Sequence, residues 1–231
     1  MIGIIGALDI EVEQLYRELE GATIEEAYGY RYASGKLCGR DVVVVKCGVG
    51  KVNAAICAQT MVIKYAPDVI INTGVAGSLS PDLGICDIAV GKDVVQHDFD
   101  TSAFGEPVGL IATIERVDLP CDETIAAAIV DAAKALGLNA RLARIASGDQ
   151  FISSRTRKDW IVETFNAAAC EMEAGAIAQV CYIAGIKCAV IRAISDATDE
   201  AHDMEFDQFA ASAANNSVNV LKKTLSSKIN L

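Results

Sequence analysis

Short apolar runs rich in β-branched residues recur along the chain and predict five strands, at residues 2–5, 42–45, 69–72, 85–95 and 188–194. Both odd and even positions of these runs are apolar, which is typical of strands that are covered on both faces. Stretches with helical spacing of apolar residues predict six helices, at residues 11–20, 52–65, 123–136, 155–165, 173–184 and 206–225. This alternation predicts an α/β fold with a largely parallel or mixed sheet.

The ends of the predicted strands carry the most unusual residues. In α/β sheets, ligands bind at the carboxyl ends of the strands. The segments GALDIE, TGVAG, ASGDQFI, CEME and SD follow Ile5, Asn72, Ile145, Ala169 and Ile194. Each of these five segments contains Gly, Ser or a carboxylate. We therefore expect one composite pocket, built from segments that lie far apart in sequence.

Composition bounds the class of protein. The 231 residues are 52% hydrophobic and include only 4 Pro, which excludes a disordered chain or a linker and predicts one domain over residues 1–231. The formal net charge is −11, so the surface repels polyanions. We therefore expect no nucleic acid and no anionic membrane as a partner.

Cysteine usage and the first residues indicate the compartment. Eight cysteines are scattered singly without a CxxC pair, and there are only two His, so we expect free thiols, no structural metal and a reducing environment. No basic leader precedes Asp9, and no apolar stretch reaches the ~18 residues that a transmembrane helix needs. The expectation is a soluble, cytoplasmic protein.

The glycines of NTGVAG form the first candidate motif. We predict a loop in which Gly74 and Gly77 let the backbone come close to a ligand. The segment is neither GxGxxG nor GxxxxGK[ST], so it supports neither a dinucleotide site nor a P-loop.

Carboxylates near the strand ends form the second candidate motif. We expect Glu171 to cap the following helix, whereas the carboxylate of Glu173 can accept two hydrogen bonds from a vicinal diol. Asp196 either caps the next segment or holds a proton for a leaving group. Arg192 lies in an apolar strand, so we expect it to pair with one of these carboxylates or with Glu11. A carboxylate site without metal, cofactor or nucleophile fits glycosidic cleavage.

Five segments together, in order and spacing, resemble one known family. GIIGALDIEVE, NTGVAG, SGDQFI, EMEAGAIAQV and VIRAISD are similar to the 5′-methylthioadenosine/S-adenosylhomocysteine nucleosidases of the purine nucleoside phosphorylase superfamily. The resemblance runs from residue 2 to about residue 225. It implies a single α/β domain with a mixed central sheet surrounded by helices, which works as a homodimer on adenine nucleosides. It also implies irreversible hydrolysis of the N-glycosidic bond, which releases adenine and a 5-thio-ribose.

The resemblance also implies the roles of the reacting groups. Glu11 matches the general base that activates water, and Asp196 matches the general acid that protonates adenine N7. Glu173 matches the residue that holds the ribose hydroxyls, and Met172 packs against the sugar. General acid catalysis is typically worth ~10²–10⁴-fold in rate.

Further positions are implied around the substrate. Phe151 matches the ring that stacks on adenine, and the backbone of Ile152 matches the group that reads its edge. Val49 and Phe206 match positions that enclose the 5′-alkylthio group. The other expected substrate contacts are Ala76, Gly77, Arg192 and Ser195.

The chain departs from the family pattern at three places. Val75 stands where many relatives carry Ser, and Leu8 stands where Met is common. The segment after Asp100 also differs, so Glu106 and Pro107 are expected to shift preference among methylthioadenosine, S-adenosylhomocysteine and 5′-deoxyadenosine.

Three alternative functions remain. A purine nucleoside phosphorylase needs a phosphate site, but neither GALDI nor NTGVAGSLSPD contains Arg. A futalosine-type nucleosidase would want polar or basic groups in place of Val49 and Phe206. A non-catalytic nucleoside-binding module would have no need for Glu11 and Asp196 together.

Overall fold

The computed structural model describes residues 1–196 and 202–227, with the backbone alone at residues 202–208. The strands are β1 (Ile2–Gly6), β2 (Glu20–Ala27), β3 (Tyr30–Leu37), β4 (Arg40–Lys46), β5 (Val69–Ser78), β6 (Ile88–Gln96), β7 (Asp118–Pro120), β8 (Ala140–Ser147), β9 (Ala169–Glu171) and β10 (Lys187–Asp196). The helices are α1 (Asp9–Glu18), α2 (Lys51–Tyr65), α3 (Glu123–Ala135), α4 (Arg155–Phe165), α5 (Ala174–Ala184) and α6 (His202–Leu225).

The central sheet closes on itself at one side. Strand β10 pairs with both β5 and β6, and β6, β8, β9 and β5 pair in turn, so these five strands form a ring. Strands β1, β4, β3 and β2 extend the sheet outward from β5. The β5–β10 pairing is parallel and the β6–β10 pairing is antiparallel, so the predicted mixed sheet is confirmed.

Helices cover both faces of the sheet, which explains why its strands are apolar at odd and even positions. Helices α2 and α5 pack on one face, where Cys57 and Ile177 lie in the same core as Ile5. Helices α1, α3 and α6 pack on the other face, around a core that contains Ile4 and Leu221. Burial of these faces removes apolar surface from water, which stabilises the fold by roughly 25 cal/mol for each Å² that is buried. The chain forms the predicted single α/β domain.

The sequence prediction missed the hairpin of β2 and β3. Strand β2 is exposed along nearly its whole length and carries Glu at three positions, so it lacks the apolar run that marks a buried strand. It lies at the edge of the sheet, where charged side chains discourage pairing with another chain. The short strand β7 was also missed.

The predicted loop at NTGVAG is wrong. Strand β5 continues through this segment to Ser78, because it pairs there with β10 on one side and with β9 on the other. Asp196 likewise belongs to β10 and lies opposite Gly77, after a shift in register that follows Ile194. Such irregularities in a strand re-aim side chains near functional sites. The candidate site residues Ala76 and Gly77 therefore stand on β5, and Arg192, Ser195 and Asp196 stand on β10.

Two further observations bear on expectations from composition. All eight cysteines are free thiols, and six of them are buried. Within residues 1–196 and 202–227, the structure has no helix with the length and apolar character needed to cross a bilayer.

Candidate active site

A cavity of about 280 Å³ opens beyond the ends of β1, β9 and β10 and along the last residues of β5. Its lining is largely apolar and draws on segments spread from Ala7 to Asp196, so the predicted composite pocket is present. Nine of the expected residues line it, namely Glu11, Val49, Ala76, Gly77, Phe151, Met172, Glu173, Ser195 and Asp196.

Glu11 lies in the first turn of α1, where the helix dipole favours an acidic side chain. Its Oε2 accepts hydrogen bonds from the backbone N–H of Ala7 (2.6 Å) and Leu8 (2.9 Å). Its Oε1 accepts one from Val75 (3.0 Å). Burial raises the pKa of Glu11, although Arg192 and these N–H groups oppose the shift. The carboxylate is thus fixed in place and binds a proton more readily than an exposed Glu.

Two glycines of β5 provide room for the carboxylates. A Cβ at position 74 would lie 2.5 Å from Glu11 Oε1, and a Cβ at position 77 would lie 2.8 Å from Asp196 Oδ2. Any side chain at Gly74 or Gly77 would therefore displace a carboxylate. Because these two residues have no side chain, the carboxylate of Glu11 can lie against Gly74 and that of Asp196 against Gly77.

Asp196 ends β10 and is only 2% exposed. Ser195 Oγ donates a hydrogen bond to Asp196 Oδ1 at 2.9 Å, which orients the carboxyl group. Phe151 and Ile152 line a smaller cavity of about 30 Å³ next to the pocket, and Asp196 faces that cavity as well. An acidic group thus stands beside the aromatic ring.

Glu173 stands immediately before α5 and faces the pocket from the other side. Its Oε1 accepts a hydrogen bond from the backbone N–H of Gly50 at 2.9 Å. Burial raises the pKa of Glu173 to about 7, and the negative charge of Glu171 adds to this effect. Glu173 therefore binds a proton more readily than an exposed Glu.

Arg192, one of the expected substrate contacts, is not among the residues that line the pocket. Its guanidinium is buried and hydrogen-bonds to Glu171 Oε2 and Asn72 Oδ1. The predicted pairing with a nearby carboxylate is confirmed, and the partner is Glu171. Because an unpaired charge is costly to bury, strand β10 can carry this arginine only with such partners.

The expected capping role of Glu171 is confirmed. Its Oε2 accepts hydrogen bonds from the backbone N–H of Glu173 (3.0 Å) and of Ala174 (2.8 Å), at the start of α5. Glu171 thereby joins Arg192 to the N-terminus of the helix that presents Glu173.

The apolar walls of the pocket are uneven in exposure. Val49 and Phe151 are each about half exposed, at 47% and 51%, whereas Met172 is partly buried and Ala76 is buried. The first two residues therefore form the rim. The side chain of Phe206 lies outside the described part of the structure.

Sequence reasoning missed three contributors to the site. Cys170 lines the pocket, and the N–H groups of Ala7 and Gly50 hold the carboxylates of Glu11 and Glu173. Backbone donors leave no mark in residue identity, although the GVGK turn before α2 was a usable signal for Gly50. Val75, flagged for its lost hydroxyl, contributes through its N–H. Glu106 and Pro107 lie in an exposed segment before β7.

Within the described ranges 1–196 and 202–227, no three His, Cys, Asp or Glu side chains are arranged to hold a metal ion. The described lining of the pocket contains no Lys or Arg either.

Comparison with known proteins agrees with this geometry. The family model of the phosphorylase superfamily matches residues 1–226. A 5′-methylthioadenosine/S-adenosylhomocysteine nucleosidase of Shewanella halifaxensis is 40% identical over 218 residues, covering 94% of each chain.

Two solved structures are similar over nearly the whole chain. One is the nucleosidase of the same description from Neisseria meningitidis in complex with methylthio-immucillin-A, with 33% identity, a TM-score of 0.93 and coverage of 97% of this chain and 98% of that one. The other is native futalosine hydrolase of Helicobacter pylori, with 34% identity, a TM-score of 0.90 and 96% coverage of both chains.

The fold is thus that of the phosphorylase superfamily. The chain belongs to this superfamily and, within it, to the 5′-methylthioadenosine/S-adenosylhomocysteine nucleosidases, which makes it an N-glycosyl hydrolase.

Proposed function

We propose that this enzyme hydrolyses the N-glycosidic bond of 5′-methylthioadenosine, S-adenosylhomocysteine and 5′-deoxyadenosine. The observation that carries the proposal is that three buried carboxylates, those of Glu11, Glu173 and Asp196, line one largely apolar cavity beside Glu171, whose carboxylate is paired with Arg192. Carboxylates around a sugar can supply both the acid and the base of glycosidic cleavage. The names of its relatives support the choice of nucleosides.

Asp196 is the general acid. In its protonated form it donates to N7 of adenine while the bond between C1′ and N9 breaks, so that adenine leaves as a neutral molecule. The hydrogen bond from Ser195 supports this role, because it fixes the carboxyl group next to the cavity that Phe151 and Ile152 line. Stacking of adenine on Phe151 brings N7 to the acid.

Glu11 is the general base. A water molecule attacks C1′ and passes a proton to the Glu11 carboxylate, and the sugar leaves with a hydroxyl at C1′. Burial raises the pKa of Glu11, which makes its carboxylate a better proton acceptor than an exposed Glu. Three backbone N–H groups hold it in one orientation, so no reorganisation is needed during the reaction.

Glu173 accepts hydrogen bonds from the ribose hydroxyls, with Met172 packed against the sugar. Cleavage develops positive charge on the ribosyl ring, and the anionic groups Glu11 and Glu173 stabilise it in a site of low polarity. Ala76 and Gly77 line the sugar and base from β5.

Water, rather than phosphate, is the nucleophile. Phosphate would need a cationic or N–H-rich site, and the described pocket lining carries carboxylates instead. Arg192 is the cation next to this pocket, but Glu171 and Asn72 already occupy its guanidinium.

Futalosine hydrolysis is a second candidate, favoured by the similarity to the Helicobacter pylori enzyme. The two reactions differ at the 5′ substituent. Apolar Val49 at the rim of the pocket suits a thioether better than a polar substituent, so we rank the thio-nucleosides first.

We also propose that the enzyme works as a homodimer. Helix α2 exposes Val52, Ile56 and Ile63 on one face, and this stripe begins next to Val49 at the rim of the pocket. Exposed apolar stripes of this kind mark protein interfaces. A mass in solution of twice 24.4 kDa by light scattering is the expected result.

The first experiment measures adenine release from methylthioadenosine with and without phosphate, and identifies the sugar product. We expect phosphate-independent release of free methylthioribose. Phosphate-dependent release of a sugar 1-phosphate would identify a phosphorylase. Parallel assays with futalosine, S-adenosylhomocysteine and 5′-deoxyadenosine rank the 5′ substituents.

A further inference from the structure

A closed cycle of hydrogen bonds lies behind the pocket, outside the groups that touch the cavity. Lys51 Nζ donates to Asp98 Oδ1 at 2.6 Å, and Asp98 Oδ2 accepts from the backbone N–H of Asp149 at 2.8 Å. The cycle closes where Asp149 Oδ1 accepts from the backbone N–H of Lys51 at 2.7 Å. Three segments, at the ends of β6 and β8 and at the start of α2, are thus tied together.

Each segment in this cycle adjoins a wall of the pocket. Gly50, directly before Lys51, donates its N–H to Glu173, and Val49 lies at the rim. Phe151 follows Asp149 by two residues. The cycle therefore connects the positions proposed to hold the ribose, the 5′ group and the adenine.

We propose that Asp98 is a positioning residue, which acts through Lys51 and Asp149 to hold the Gly50 N–H on the Glu173 carboxylate. This inference rests on the proposed function of Glu173.

The turn before α2 needs such a tether. Gly50 has a φ of 98°, a conformation that other residues rarely adopt, and a Cβ there would lie 3.1 Å from Asp149 Oδ1. A turn that depends on glycine has many alternatives open to it. The side-chain bonds of the cycle select the one in which the Gly50 N–H meets Glu173.

The ion pair at the centre of the cycle is shielded from solvent. The side chains of Lys51 and Asp98 are 17% and 16% exposed, so their attraction is screened less than that of an exposed pair. Lys51 Nζ also donates to Gln96 Oε1 at 2.9 Å, and Gln96 is in turn bonded to Gln179 of α5. The cycle is thus anchored to the helix that presents Glu173.

The hydrogen bond from the Gly50 N–H affects the pKa of Glu173, on which the neighbouring charged groups have opposite effects. Glu171 and Glu11 disfavour its ionised form, Arg192 favours it, and the Cys47 thiol lies nearby. A hydrogen bond from an N–H group favours the ionised carboxylate. Loss of this bond would raise the pKa of Glu173 above about 7 and leave it largely protonated at neutral pH.

The experiment compares Asp98→Asn with the matched control Asp93→Asn. Asp93 lies on β6 and accepts hydrogen bonds of 2.7 and 2.8 Å from Arg144. The side chains of Asp93 and Arg144 are 14% and 26% exposed, which resembles the exposure of the Lys51–Asp98 pair. The control breaks a similar ion pair on the strand that leads to Asp98, without touching the cycle. Lys51→Met breaks the tether from its other side, and Lys51→Arg keeps the charge.

Two readouts are followed. The first is kcat and KM for methylthioadenosine across pH, where we expect Asp98→Asn to lower kcat/KM by roughly 10-fold to 100-fold at neutral pH. The second is the titration of the Glu173 carboxyl by NMR on enzyme labelled with ¹³C in glutamate, assigned with Glu173→Gln. Its pKa should rise by about one unit in Asp98→Asn and Lys51→Met, move less in Lys51→Arg, and stay in place in Asp93→Asn.

An unmoved Glu173 titration in both Asp98→Asn and Lys51→Met would overturn the positioning role. So would equal shifts in Asp98→Asn and the control. Wild-type enzyme that releases no adenine would instead overturn the proposed function, and the carboxyl titration would still decide whether Asp98 acts on Glu173.

Discussion

Two neighbouring clusters of polar side chains are buried to the same extent but differ in the groups that they are bonded to. The base cluster joins Glu171, which lines the pocket, to Asn72 and Arg192, which do not. The pocket carboxylates are those of Glu11, Glu173 and Asp196, which also line it. All six residues are at most 8% exposed, so exposure does not distinguish them. In the base cluster the charges of Glu171 and Arg192 face each other, whereas backbone N–H groups hold Glu11 and Glu173, and Ser195 donates a hydrogen bond to Asp196.

The difference separates stability from chemistry. A buried charge whose partner is present holds the fold, and removing one partner leaves the other uncompensated. Buried carboxylates that are held by backbone N–H groups, as those of Glu11 and Glu173 are, cost stability, yet they are available for proton transfer. We therefore expect opposite effects on stability when charge is removed from the two clusters.

The largest expected effect is on catalysis, in Asp196→Asn. The amide keeps the shape of the side chain but cannot supply the proton, so we expect kcat to fall by ~10²–10⁴-fold. Nucleoside binding should persist, as calorimetry with methylthioadenosine would detect. Full turnover in this variant would remove Asp196 from the role of acid.

The next largest effect is expected in Arg192→Met, which takes the cation from the base cluster. Glu171 would be left buried without its partner, and we expect the free energy of unfolding to fall by about 3–5 kcal/mol. Denaturant unfolding at neutral pH measures this loss. The double variant with Glu171→Gln should recover part of it, and a single variant as stable as wild type would contradict the assignment of this pair.

A smaller effect of opposite sign is expected in Glu173→Gln. The pKa of Glu173 is raised from 4.5 to about 7, so the folded state holds this proton more tightly than the unfolded state. Its contribution to stability is therefore full below about pH 4.5 and is lost as the pH rises through about 7. At about pH 8, the neutral glutamine should make the protein more stable than wild type by up to ~3 kcal/mol.

That gain should disappear toward about pH 4.5, while kcat/KM stays low at every pH. Thermal unfolding at the two pH values gives the comparison. A variant less stable than wild type at alkaline pH would show that Glu173 belongs with the base cluster.

Much of the fold could be predicted from the sequence, because strands such as β1 and β10 are apolar on both faces and interrupt helical patterns. The hairpin of β2 and β3 could not, since its residues are mostly polar and exposed. These two strands form because they pair with a neighbouring strand, and such pairing leaves no mark in the composition of the segment.

The site, like the fold, could be predicted from the sequence only in part. Glu11, Glu173 and Asp196 could be named because their segments follow strands and resemble a family. The choice of Glu171 as the partner of Arg192 could not be made, because the sequence left four carboxylates open, those of Glu11, Glu171, Glu173 and Asp196. Distances between β5, β9 and β10 decide it, and these depend on sheet register.

The closed ring of strands has a consequence for how such an enzyme can diverge. Asp196 and its neighbour Gly77 are locked by a parallel register that begins at Lys187, nine positions before Asp196, and at Val69, eight positions before Gly77. A slip of one residue would turn every side chain of β10 to the opposite face. Val49 stands in a connecting segment at the rim, where this register does not fix its position. Selection can therefore exchange the 5′ group that the enzyme accepts by altering the rim, while the proton-transfer machinery is inherited unchanged.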